Sequence, residues 1–154
     1  MGFAALITWF GTVLLGLYML TVWLIENDAT GPGASHLPAP VVFTHLALAV
    51  SGLGVWAFYL LADRQILAWI AVGALSAIVL LGVSMFARWI PVHRGPDEPV
   101  TIMPFSGDPL PFPGDPPVTP PESNFPVAVV TCHGLLAATT YVLVLLTALN
   151  VGGS

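Results

Sequence analysis

The chain has 154 residues, 56% of them hydrophobic and 7% charged, with three arginines, no lysine and a net charge of −5. A soluble domain carries roughly 25% charged residues, so this composition, with a mean hydropathy of +0.91, reads as an integral membrane protein and not as a nucleic-acid binder. The single cysteine, Cys132, excludes an internal disulfide, a Cys-x-x-Cys-His haem attachment and a cysteine-rich metal centre.

A helix needs about 20 mostly apolar residues to cross a bilayer. Four stretches qualify: Phe3–Ile25, Pro40–Leu61, Ile66–Trp89 and Phe125–Leu149. The length leaves no room for a second domain. The expected fold is therefore one all-α domain, an integral membrane four-helix bundle in up-down-up-down order. The first stretch lacks a basic leader and continues past Leu20, so it reads as a retained span. Let side A be the face on which the first span begins. That span ends on side B at Glu26-Asn27-Asp28, and the Gly- and Pro-rich loop 29–39 breaks helices on both flanks. Span two enters at Pro40, a favourable first helical residue, and ends in a tight hairpin at Ala62-Asp63-Arg64-Gln65 on side A.

Span three returns to side B and stops near Pro91. The loop His93–Asn124 that follows is too rich in proline for a helix or a central strand. Ser123 or Asn124 is expected to cap span four. Trp23, Trp89 and Trp69 fall near the span ends, as an interfacial aromatic belt requires. Trp9 and Trp56 sit deeper and should pack. Arg64 on side A against Arg88 and Arg94 on side B is a thin charge bias. The long acidic loop without lysine suits a translocated segment, so side B is expected outside.

Two ionisable side chains lie inside spans, His45 in span two and His133 in span four. Both are roughly 7–12 Å below the side B surface at 1.5 Å per residue. Spans two and four run in the same direction and lie on the diagonal of an up-down bundle, so both imidazoles can face its axis. Small residues follow on the same faces: Ala49 and Gly52 after His45, Ala137 and Thr140 after His133. That leaves space for a flat cofactor. Neutral imidazole is a good iron ligand, and its second nitrogen can bond a carbonyl or hydroxyl, with Thr44, Thr131 and Thr140 nearby. The pair predicts the two axial ligands of a haem b, with propionates toward side B and Arg88 as their partner, ahead of Arg94 and His93. Histidines that only hydrogen-bond across helices, another metal and a quinone-type site remain open alternatives.

Met85 lies at comparable depth and could replace one imidazole, as in His/Met haems. Core filling is its plainer role, and Met19 is similar. His36 and His93 read as solvated loop histidines that could form a surface metal site. Cys132 should pack. No Walker loop, Gly-x-Ser-x-Gly, His-Glu-x-x-His or intramembrane carboxylate pair occurs, which disfavours stand-alone enzyme chemistry and carboxylate-coupled transport. No repeat of the transporter kind is expected.

The stretches PAPVVFTHLALAVSGL around His45, MFARWIP around Arg88 and FPVAVVTCHGLLAATT around His133 give the chain a layout that resembles small four-helix b-type membrane cytochromes and the haem-bearing anchor subunits of respiratory enzymes. It is also similar to small membrane proteins of high-GC actinobacteria. The resemblance covers the spans and not the Pro-rich loop. It implies a bacterial inner-membrane protein transferring electrons through one haem b on His45 and His133, alone or within a larger redox complex whose partner docks at the loop. A non-catalytic accessory subunit with structural histidines is the other expectation.

Overall fold

The structure is a computed structural model, and it describes residues 1–30, 35–94 and 119–151. The helices are α1 (Gly2–Thr30), α2 (Ala39–Ala62), α3 (Gln65–Arg94) and α4 (Val127–Ala148), with a short 3-10 helix, Pro121–Asn124, before α4. All four α-helices are long and apolar enough to cross a membrane. Their outer faces carry exposed Phe3, Ile7, Phe10, Leu61, Leu80 and Leu135. Large apolar side chains on a surface mark contact with lipid or a partner.

The ends of the helices differ from the sequence expectation. α1 continues beyond Ile25 to Thr30, and α3 passes through Pro91 to Arg94. A proline this close to the C-terminus costs α3 one backbone hydrogen bond near its end and does not stop it. α4 starts at Val127 behind Pro126, which takes the N-cap place with φ −64° and ψ 123°. Ser123 and Asn124 do not cap it because they are wound into the 3-10 helix, whose Glu122 carbonyl accepts the Phe125 N–H. Residues 95–118 of the Pro-rich loop lie outside the described residues. The hairpin between α2 and α3 turns on Asp63, which adopts a left-handed conformation and donates its N–H to the Tyr59 carbonyl.

α1 packs mainly on α4 and α2 mainly on α3, while the two pairs touch each other less extensively. α2 and α4 are therefore diagonal, as the up-down order requires. The helices meet in three tiers along the bundle. The side A tier is a close-packed core of Ala5, Trp9, Trp56, Tyr59, Ala71, Leu75, Ile78 and Val144. Trp9 and Trp56 are buried as expected. The Trp56 indole also donates to the Gly2 carbonyl at 3.1 Å. Gly52 lets α2 approach this core, for a Cβ there would lie 2.9 Å from the Trp9 ring.

At the other end Trp23, Leu37, Trp89, Pro121 and Glu122 are buried together. Trp23 and Trp89 were expected in an interfacial belt. Instead they roof the bundle, because the loop residues 35–37 and the 3-10 helix fold over them. Trp69 is 45% exposed near side A, where the belt was expected.

The tier between is different. No residue is buried in 10–22 of α1, 39–51 of α2, 79–88 of α3 or 127–139 of α4. Protein interiors are normally packed as tightly as organic crystals. Between the floor and the roof the side chains are half-buried or exposed, and His45 Nδ1 is enclosed among them.

Candidate functional site

His45 and His133 both lie in this middle tier. Their ring centres are 6.4 Å apart and their planes are inclined by 45°. The sequence expectation that the two imidazoles meet at one level is therefore met in the structure.

Each ring is seated on a glycine. A Cβ on Gly16 of α1 would lie 3.2 Å from His133 Cε1, and one on Gly82 of α3 would lie 3.3 Å from His45 Cε1. The reason lies in helix geometry. The carbonyl of residue i points toward residue i+4, and a side chain there screens it. Glycine at position 16 uncovers the Thr12 carbonyl, and His133 Nδ1 lies 3.0 Å from that oxygen. A carbonyl only accepts, so Nδ1 carries the proton and Nε2 keeps its lone pair. Glycine at position 82 leaves the Ile78 carbonyl as the backbone acceptor beside His45. His45 Nδ1 is buried there but falls short of hydrogen-bond geometry. Such an orphan costs about 1–3 kcal/mol, a cost that a small closing movement onto Ile78 would relieve.

Two imidazoles on opposite sides of one metal ion, with metal–nitrogen distances of about 2 Å, would place their ring centres about 6 Å apart. The observed separation fits that arrangement, and the δ-protonated form is the one that offers Nε2 to a metal.

No family model, curated protein or solved structure matches this chain. Its site is defined by its own geometry alone.

The remaining residues singled out from sequence fall in different places. Gly52 does receive a flat ring, but the ring is the Trp9 indole, one tier below the histidines. Thr140 is buried in the same lower layer and donates to Thr8 Oγ1 at 2.9 Å or to the Leu136 carbonyl at 2.8 Å. Thr44 and Thr131 are exposed. Ala137, one turn below His133, is half-buried. Met85 and Met19 are half-buried, each one turn above a seating glycine toward side B. Arg88 is exposed beside Trp89 near the end of α3. Cys132 is exposed and does not pack in the interior. His93 stacks on Trp89, ring centres 4.8 Å apart, while His36 sits against Glu122.

Glu122 is the residue that sequence reasoning missed. It is fully buried. Its carboxylate accepts from the Ser35 hydroxyl at 2.9 Å and the His36 backbone N–H at 2.7 Å, with His36 Nδ1 at 3.2 Å. The Trp89 indole donates to its carbonyl, and the Trp23 indole donates to Ser35 Oγ. One acid thus ties both roof tryptophans and both side B connections together. The available signal was an isolated glutamate in PPESN, directly before a span.

Proposed function

We propose that this chain holds one haem b between His45 and His133 and serves as a single-electron carrier, alone or as the membrane subunit of a larger redox complex. The observation that carries the reading is the pair of imidazoles, 6.4 Å apart, each seated on a glycine of a neighbouring helix. A bound haem would supply a one-electron couple that no side chain here provides.

The chain's own residues do the positioning. His133 is oriented by its bond to the Thr12 carbonyl and His45 by its seat on Gly82. The His133 Nε2 lone pair is then free for a Lewis acid, and closure of His45 onto the Ile78 carbonyl would free the second. A quinone carbonyl would need a donor at Nε2, which δ-protonated His133 lacks. That favours a metal over the quinone-type alternative. The packed floor around Trp9 and the buried roof around Glu122 bound the histidine tier, and solvent access there would tune the redox potential. Arg88, exposed near the side B end of α3, would be the first partner for haem carboxylates, ahead of Arg94.

The test is a reduced-minus-oxidised absorption spectrum of the purified protein, repeated for His45→Ala and His133→Ala. A b-type spectrum lost in both variants supports the reading. A colourless protein that is folded and takes up no added hemin overturns it.

The second reading is an accessory subunit in which the histidines only pack. The His133–Thr12 bond favours it, because that contact satisfies one ring without any ligand. Copurification with a large enzyme, unchanged by altering either histidine, would support this reading.

A further inference from the structure

The seats of the two histidines are not merely similar. Val13-Leu14-Leu15-Gly16-x-x-Met19-x-x-x-Trp23 in α1 reappears as Val79-Leu80-Leu81-Gly82-x-x-Met85-x-x-x-Trp89 in α3. Pro38-x-x-Val41-Val42-x-x-His45-x-x-Leu48-Ala49 in α2 reappears as Pro126-x-x-Val129-Val130-x-x-His133-x-x-Leu136-Ala137 in α4. No repeat of the transporter kind was expected, yet the halves do repeat. The connection inside the second copy is longer, so no single spacing brings both matches out together.

The structure treats the copies as equivalents. Pro38 and Pro126 both take the N-cap place with φ −64° and ψ 123°. Ala5 and its counterpart Ala71 are both fully buried. Trp23 and Trp89 both donate to the roof. α1 packs on α4 as α3 packs on α2. Where Thr8 meets Thr140 in a hydrogen bond, their counterparts Ala74 and Gly52 also meet, a Cβ on Gly52 falling 3.4 Å from that of Ala74. The corresponding helices run in the same direction and make corresponding pairings, as an approximate two-fold axis along the bundle requires.

We infer that the chain is a duplicated helical hairpin whose centre is two crossed half-sites, Gly16 of the first repeat positioning His133 of the second and Gly82 of the second positioning His45 of the first, for one ligand shared on the axis. Neither repeat holds a complete half-site by itself, since each glycine serves the other repeat's histidine. Such a site takes a ligand that offers the same chemistry to two Nε2 lone pairs, as a metal centre with two open axial positions does. Only the identity of that ligand as haem rests on the function proposed above. The crossed seating does not.

The experiment reads the histidine rings of the full-length protein in lipid nanodiscs, without haem, by 15N and 13C NMR of labelled histidine. Both intramembrane rings should be protonated on Nδ1. Gly16→Ala should shift the ring resonances of His133 and spare His45, and Gly82→Ala should do the reverse. Gly54→Ala and Gly73→Ala, where a Cβ meets nothing within 4 Å, should move neither. If a seat variant does not fold, wild-type protein carries the test through magnetisation transfer from Gly16 to His133 and from Gly82 to His45. Shifts confined to the histidine of the same repeat, Nε2-protonated rings, or absent cross-repeat transfer would overturn the inference. A colourless protein that passes this test loses the haem reading and keeps the crossed site.

Discussion

His133 on α4 donates its Nδ1 proton to the Thr12 carbonyl on α1 at 3.0 Å, through a gap that exists because residue 16 is glycine. One missing side chain thereby decides which nitrogen of a distant imidazole is free. A bulkier residue at position 16 should release that ring. Gly16→Leu is expected to abolish hemin binding as fully as His133→Ala does, while Gly134→Leu, in open space beside the same histidine, should bind hemin as wild type. A spectrophotometric hemin titration of the three variants checks this.

The floor below the site predicts a stability effect without a ligand. A Cβ at position 52 would press on the Trp9 ring from 2.9 Å, and overpacking of this kind costs about 1–3 kcal/mol. Gly52→Ala should lower the thermal midpoint in detergent, and its cost should be smaller in a Trp9→Leu background than in the wild type. Gly54→Ala, with nothing nearby, should stay within about 0.5 kcal/mol of wild type.

Thr8 and Thr140 join α1 to α4 by a side-chain bond of 2.9 Å. Such bonds between membrane helices average about 0.6 kcal/mol and reach about 1.7. A double-mutant cycle with Thr8→Val and Thr140→Val should give a coupling energy in that range. Additive losses would show that the bond contributes nothing.

Glu122 should matter more than any other loop residue. Removing its carboxylate leaves the Ser35 hydroxyl and the His36 N–H without their acceptor, and because both groups are only partly buried each loss should fall below the roughly 1–3 kcal/mol of a fully buried group. Glu122→Ala should loosen the roof, shift the emission of Trp23 and Trp89 to longer wavelength, and speed proteolysis between α3 and α4. Glu122→Gln keeps one amide oxygen as acceptor and should fall between. Unchanged emission in Glu122→Ala would contradict the placement of this residue.

Much of the architecture was legible because bilayer thickness imposes a length on each apolar stretch. The four spans, their alternation and the common depth of His45 and His133 follow from that constraint. The seats of the rings were not legible, because Gly16 and Gly82 belong to helices far in sequence from the histidines they receive. Glycine is also too common in membrane helices to stand out. Small residues on the histidines' own helices looked like the cofactor space, but Gly52 accommodates Trp9. Trp23 and Trp89 misled because interfacial and roof tryptophans occupy the same place in the sequence. What separates them is a partner such as Ser35 or Glu122, and only the folded chain brings those together. The repeat was present in the letters, divided by unequal loops.

The most direct test of the account is the haem-to-protein ratio of the purified full-length chain after reconstitution with hemin, measured by pyridine haemochrome against amino-acid analysis. The account predicts one haem per chain, falling to none in His45→Ala and in His133→Ala and unchanged in His36→Ala and His93→Ala. A ratio of zero in the wild type, or a ratio indifferent to His45 and His133, would contradict it.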